Sequence, residues 1–239
     1  MPILRLLLKA GADPLCVNRR GESVLDRCLG DGRCTVTHLL TLMARGSKHR
    51  LIRSDYGSVL HAIATKTGRN AARKRDLRAL LTFRVANGEQ TEVRDSEGRT
   101  PLWVALSLHA KELTGHTRWL KENSVNAIDG GRWDSHHDDT AIMLLNLGAD
   151  PNARLARSPE PLIPHGATPL MVRRYDDDKL VKALLRHGAD PAARCAKGRT
   201  ALYYAKKAAA DPRRIDRTGA ARVVEVLERA LRKQAAKTR

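Results

Sequence analysis

A chain of 239 residues that is 42% apolar and only 3% aromatic must build its core from Leu, Ala and Val, which suits small, closely packed helices and disfavours a β-sandwich or barrel. Its 44 basic and 26 acidic residues leave a formal charge of +18, unevenly spread: residues 45–84 hold 11 basic and 2 acidic, 206–239 hold 11 and 4, and 85–160 hold 8 and 12. Two basic ends around an acidic middle point to oriented docking on an acidic partner, although an arginine-favouring genome explains the same bias, since arginine outnumbers lysine 31 to 13.

The first element is "MPILRLLLKAGADP". Arg5 interrupts its short apolar run, so it reads as a helix over 1–10 and not as a targeting segment. "LLLKAGADP" also matches "LLRHGADP" at 184–191, and "GADP" occurs again at 148–151. A glycine there stops a helix in the left-handed conformation, and the proline cannot continue it. Between these joints a second unit recurs: "ESVLDRCL" (22–29), "GSVLHAIA" (57–64), "RTPLWVAL" (99–106), "ATPLMVRR" (167–174) and "RTALYYAK" (199–206). Thr100, Thr168 and Thr200 are N-cap candidates, and Pro101 and Pro169 fit the first helical position. Apolar stretches such as "LVKALLRH" (180–187) have the spacing of a helix with one buried stripe. Each unit therefore reads as turn, helix, second helix, glycine stop and extended segment.

Motifs recurring in this order resemble the ankyrin repeat family, whose "G-x-TPLH-x-A" and "LL-x-x-GAD" patterns are matched by "EGRTPLWVAL", "LLNLGADP" and "KGRTALYYA", with His61 at the family's histidine position. The resemblance implies an all-α solenoid of paired antiparallel helices with β-hairpin-like turns, about five repeats behind a leading half repeat. The array is expected over 1–232, with an insertion at 107–137 in the third full unit, an extended loop at 152–166 and a basic tail at 233–239. The gap from Ser/Thr to the double leucine grows from 16 residues (Ser23 to Leu39) to 22 (Ser58 to Leu80) and 44 (Thr100 to Leu144), which locates the insertion. Insertions in a solenoid emerge as loops, often on the binding face. The family places a small residue five positions after the Thr. Cys28, Ala105 and Ala205 comply, whereas Ile63 and Arg173 put packing in those units in question.

The resemblance implies partner contacts from turn tips and first helices, here Arg20, Tyr56, Arg99, Arg199, Trp103, Tyr203 and Tyr204. Trp103 and Tyr203 occupy the histidine slot itself, where packing between repeats is the preferred role. Trp119 and Trp133 lie in the insertion, and tryptophan is enriched among residues that dominate interface affinity. Pinning a long loop to the stack is the equally weighted alternative. A basic patch of Arg69, Arg73, Lys74, Arg75 and Arg78 could meet an acidic protein or phosphate, and a solvated helix entry explains it as well. "HHDD" (136–139) precedes a helix, where acidic residues suit the positive end of its dipole, so no metal site is assigned. Cys16, Cys28, Cys34 and Cys195 form no CxxC pair. No catalytic motif, cofactor site or membrane span is found.

The expectation is a non-enzymatic, cytoplasmic adaptor or inhibitor that binds a protein with an acidic surface. A delivered bacterial effector, a toxin-neutralising protein, a nucleic-acid-associated protein and a regulatory segment of a larger chain are the alternatives. The leading half repeat is expected to need a cover, and a second copy of the chain could supply it.

Overall fold

The computed structural model describes residues 2–13, 16, 18, 19, 24, 41, 58–64, 71–86, 88–106, 136–155, 165–171, 178–210 and 217–237. Among these residues the chain is helical and holds no strand. The elements in chain order are α1 (Pro2–Lys9), α2 (Val59–Ala64), α3 (Ala71–Ala86), helical residues 101–106, α4 (His136–Asn146), a 3₁₀ turn (Pro169–Met171), α5 (Asp178–Arg186), α6 (Ala201–Ala209) and α7 (Arg217–Lys237).

The second helices of successive units form a row: α3 packs on α4, α4 on α5 and α5 on α7. The first helices lie beside them, α2 against α3 and α6 against α7, and the 3₁₀ turn touches α5 and α6. One core of Leu, Ala, Val and Met runs from Leu60 to Leu227, with Trp103 its largest side chain. α5 follows the pattern expected from its sequence. Leu180, Val181, Ala183 and Leu184 are buried, Asp178 sits in the first turn and Arg186 in the last, and Asp178 pairs with Lys182 at 2.5 Å.

The helix stops also form as expected. Gly11, Gly88, Gly148 and Gly188 all have φ between 87° and 92°. At the third of these the Gly148 amide bonds Leu145 O (3.0 Å) and the Ala149 amide bonds Leu144 O (3.0 Å), the paired bonds of a left-handed C-cap. Gly188 repeats the pair with Leu185 O and Leu184 O. Gly88 does so without the GADP signature, bonding Val85 O while the Glu89 amide bonds Arg84 O.

Three expectations are corrected. Thr168 does not cap a helix: its buried hydroxyl has no hydrogen-bond partner, and the Met171 amide donates to Thr168 O in a 3₁₀ turn instead. Ile63 packs fully buried where a small residue was expected. The segment 233–237, expected as a basic tail, continues α7 to Lys237. Arg173, Cys28 and most of the 107–137 insertion lie outside the described residues, although α4 already begins at His136. In α1, Leu8 is buried while Leu6 and Leu7 stand 64% and 53% exposed.

Candidate functional site

Three rows of polar contacts tie the connecting segments of successive units together, and their chemistry decides which side chains remain at the surface. In the outer row, Arg94 Nη1 donates to Gly98 O of its own turn (2.8 Å) and to Arg154 O of the next unit (3.1 Å). Arg154 Nη1 does the same to Gly166 O (3.2 Å) and Arg194 O (2.8 Å). Arg194 Nη1 donates to Gly198 O (2.8 Å). In a second row, Glu92 Oε1 accepts from the Asp150 amide (2.9 Å) and Asn152 Oδ1 from the Asp190 amide (2.8 Å). Gln234 of α7 closes this row by donating to Asp190 Oδ1 (2.9 Å).

The third row comes from the histidine slot. His61 Nε2 donates to Arg99 O (2.8 Å), and Nδ1 accepts from the Ser58 amide (3.0 Å), which fixes the neutral Nε2–H form. Burial holds His61 below its ordinary pKa, outweighing the Arg99 carbonyl and the nearby Asp95 carboxylate, both of which raise it. In the next unit the larger Trp103 fills the same slot, and its Nε1 donates to Ala153 O (2.7 Å). Trp103 is 0% exposed. It is therefore not a partner contact, because its ring lies wholly between units.

Arg99 and Arg199 occupy the same turn position but have different surroundings. Asp95 Oδ2 accepts from Arg99 Nε (2.9 Å) and Nη2 (2.8 Å), and Glu97 pairs with Arg99 Nη1 (2.8 Å). Arg99 is thus locked into its own turn and half-buried, not presented at a free tip. The last unit has Cys195 where Asp95 stood, so Arg199 lies over the Tyr203 ring instead, 4.7 Å from its centroid. Tyr204 is 8% exposed, with its hydroxyl 3.4 Å from Cys195 Sγ, and this burial pushes it up to about 12. It too is corrected from surface contact to core. Tyr203 is 41% exposed.

In the basic patch, Lys74 of α3 and Lys179 of α5 both pair with Asp139 of α4, the latter at 2.8 Å. Asp139 of "HHDD" therefore ties three helices together. Burial raises its pKa, but hydrogen bonds from Lys179 and Lys74 outweigh burial and hold it below the ordinary carboxylate value. Among the described residues no group of ligands could hold a metal. Arg75 and Arg78 are exposed. Arg20, Tyr56, Arg69, Trp119, Trp133 and the side chain of Arg73 lie outside the described residues.

Sequence reasoning missed the exposed arginine row. The signal was present, since Arg94, Arg154 and Arg194 each stand six residues after a stop glycine, Gly88, Gly148 and Gly188. A turn–helix–helix–stop unit tied to its neighbours through these segments defines the class of protein. Residues 165–196 match the family model described as Ankyrin repeat, so the chain contains an ankyrin repeat over that stretch. Ankyrin repeats are protein–protein interaction modules. A comparison with curated proteins finds no match. No helix among the described residues is long and apolar enough to cross a membrane.

Proposed function

We propose that the chain is a non-enzymatic protein-binding adaptor or inhibitor, a solenoid of about five ankyrin units that presents its turn-side surface and third-unit insertion to an acidic partner. The observation that carries this reading is the arginine row. Arg94, Arg154 and Arg194 are exposed, in register, and held by main-chain carbonyls, so a partner's carboxylates meet guanidinium groups already ordered. Charged groups so arranged speed and orient encounter as well as contributing to affinity. Carboxylates interleave with the row: Glu92, Asp95 and Glu97 share its first turn. That pattern favours a protein surface carrying both signs over the uniform charge of a nucleic-acid backbone.

Affinity capture with the full chain tests the reading. The expected result is stoichiometric retention of an acidic protein from the source cell at physiological salt, reduced by Trp119→Ala and Trp133→Ala. Retention of nucleic acid alone, or turnover of a substrate by the purified chain, would refute it.

A further inference from the structure

Two inter-unit donors repeat at an identical spacing, and in the last unit neither meets an acceptor from a following unit among the described residues. In the third unit Arg94 and Trp103, nine residues apart, reach the carbonyls of two consecutive residues of the next unit: Arg94 Nη1 bonds Arg154 O and Trp103 Nε1 bonds Ala153 O. Arg194 and Tyr203 stand at the same two positions, again nine residues apart. Arg194 Nη1 keeps the bond to its own turn at Gly198 O. Among the described residues, however, it has no carbonyl from a following unit, and the Tyr203 hydroxyl has no hydrogen-bond partner. Helix α7 does not replace the missing acceptors. Through Gln234 it closes the neighbouring row at Asp190.

We propose that Arg194 and Tyr203 form a two-donor clamp on the last described unit that docks an extended acidic peptide segment of a partner protein through its main-chain carbonyls. The partner strand lies where the next unit's connecting segment would lie. The hydrogen-bonding mode is the one the chain uses internally: side-chain donors fixed by packing take carbonyls of an extended segment. Arg199 stacked on the ring and Tyr204 edge-on at 5.3 Å hold Tyr203 in place. Main-chain bonds supply affinity without demanding a particular side chain. The charge around the clamp selects the peptide. Residues 194–210 and 218–236 hold nine basic and two acidic side chains, and one of the acidic ones, Glu228, is already paired with Lys206 (2.8 Å). The proposal rests on the protein-binding reading above and names the partner chemistry and the residues that take it.

The test measures binding of a pool of unstructured Asp/Glu-rich peptides to the full chain by fluorescence anisotropy. Tyr203→Phe keeps the ring and its arginine and removes only the hydroxyl. It should weaken the tightest peptide by about three- to tenfold. Arg194→Ala should weaken it by about tenfold or more, as expected for a charge-assisted bond. Lys237→Ala removes the same charge at the far end of α7 and should change affinity less than about twofold, as a screened surface charge does. Replacing peptide amides by esters, whose carbonyls accept weakly, should erase the difference between wild type and Tyr203→Phe.

If Tyr203→Phe binds like wild type and Arg194→Ala binds like Lys237→Ala, the association is only charge attraction. The clamp is then wrong, while protein binding elsewhere on the array stands. Capture of an acidic partner together with no binding to any peptide in the pool also overturns the clamp alone. Failure of both overturns the functional reading with it. Concentration-dependent self-association that Tyr203→Phe abolishes would assign the clamp to a second copy and refute the peptide.

Discussion

Replacing Trp103 by Phe separates two ideas about this tryptophan that the sequence left side by side. The phenyl ring still fills most of a site that is fully buried, but it has no N–H for Ala153 O, 2.7 Å away. Ala153 is itself buried, so its carbonyl would lose its partner without gaining water, at a cost of about 1–3 kcal/mol. The smaller ring leaves a residual void worth about another 1 kcal/mol. Together these predict a loss of about 2–4 kcal/mol, equivalent to about 4–16 °C in Tm for a chain of this size. Urea unfolding followed by circular dichroism checks the free energy, and partner affinity is measured on the folded variant. The expected result is a destabilised protein that binds its partner as wild type does. Stability within about 0.5 kcal/mol of wild type, or a folded variant with weakened binding, would refute the role of Trp103 as a tie between units.

The other predictions follow from the same contacts. Glu89→Ala leaves Arg84 buried without its carboxylate (2.6 Å in the wild type) and removes the acceptor for the Leu60 amide at the start of α2; it should cost about 3–5 kcal/mol by urea unfolding, and Glu89→Gln should recover part of that. Gly188→Ala adds a Cβ that meets nothing within 4 Å, so its cost is conformational alone, from φ of +92°; the expected loss is about 1–2 kcal/mol by thermal melting, and Gly188→Asn should lose less. Asp139→Asn removes the link between Lys74 and Lys179 and should cost about 1 kcal/mol at neutral pH; because its folded pKa is depressed, the contribution is complete above the ordinary carboxyl value of about 4 and the gap to wild type closes as pH falls below it. His61 also has a depressed folded pKa, so the unfolded chain binds protons first and stability falls as pH drops below about 6.5; paired urea titrations at neutral and mildly acidic pH should show a shallower loss for His61→Gln, and equal slopes would count against the neutral, bonded imidazole.

Legibility in the sequence follows from whether a feature is local. The stop glycines were readable because a left-handed C-cap is decided within six residues, and each forms the expected pair of bonds. The caps were readable in part for the same reason. Thr200 accepts from the Tyr203 amide, and the Trp103 amide donates to Thr100 Oγ1, but Thr168 is orphaned because tertiary packing turned its segment into a 3₁₀ turn. Glu89 stands where the other joints have Ala149 and Ala189, and no local pattern singles it out. Its reason is non-local: the carboxylate reaches back 29 residues to the Leu60 amide.

The surface was the least legible part, because exposure depends on what the next unit offers to each side chain. Arg99 and Arg199 have the same local sequence, "GRT", yet one is bound to Asp95 and Glu97 while the other stacks on Tyr203, because Cys195 and Lys197 stand where the earlier unit has Asp95 and Glu97. Trp103 and Tyr203 share a slot, and only the first has a carbonyl in front of it among the described residues. A residue's availability to a partner is thus a property of its position along the row. The slot that ties two units together at Trp103 leaves Tyr203 41% exposed, with no carbonyl of a following unit in front of it among the described residues. For that reason interface composition alone, which favours Trp, Tyr and Arg, grouped the buried Trp103 and Tyr204 with the exposed Tyr203, and the shared slot assigned Trp103 and Tyr203 the same packing role.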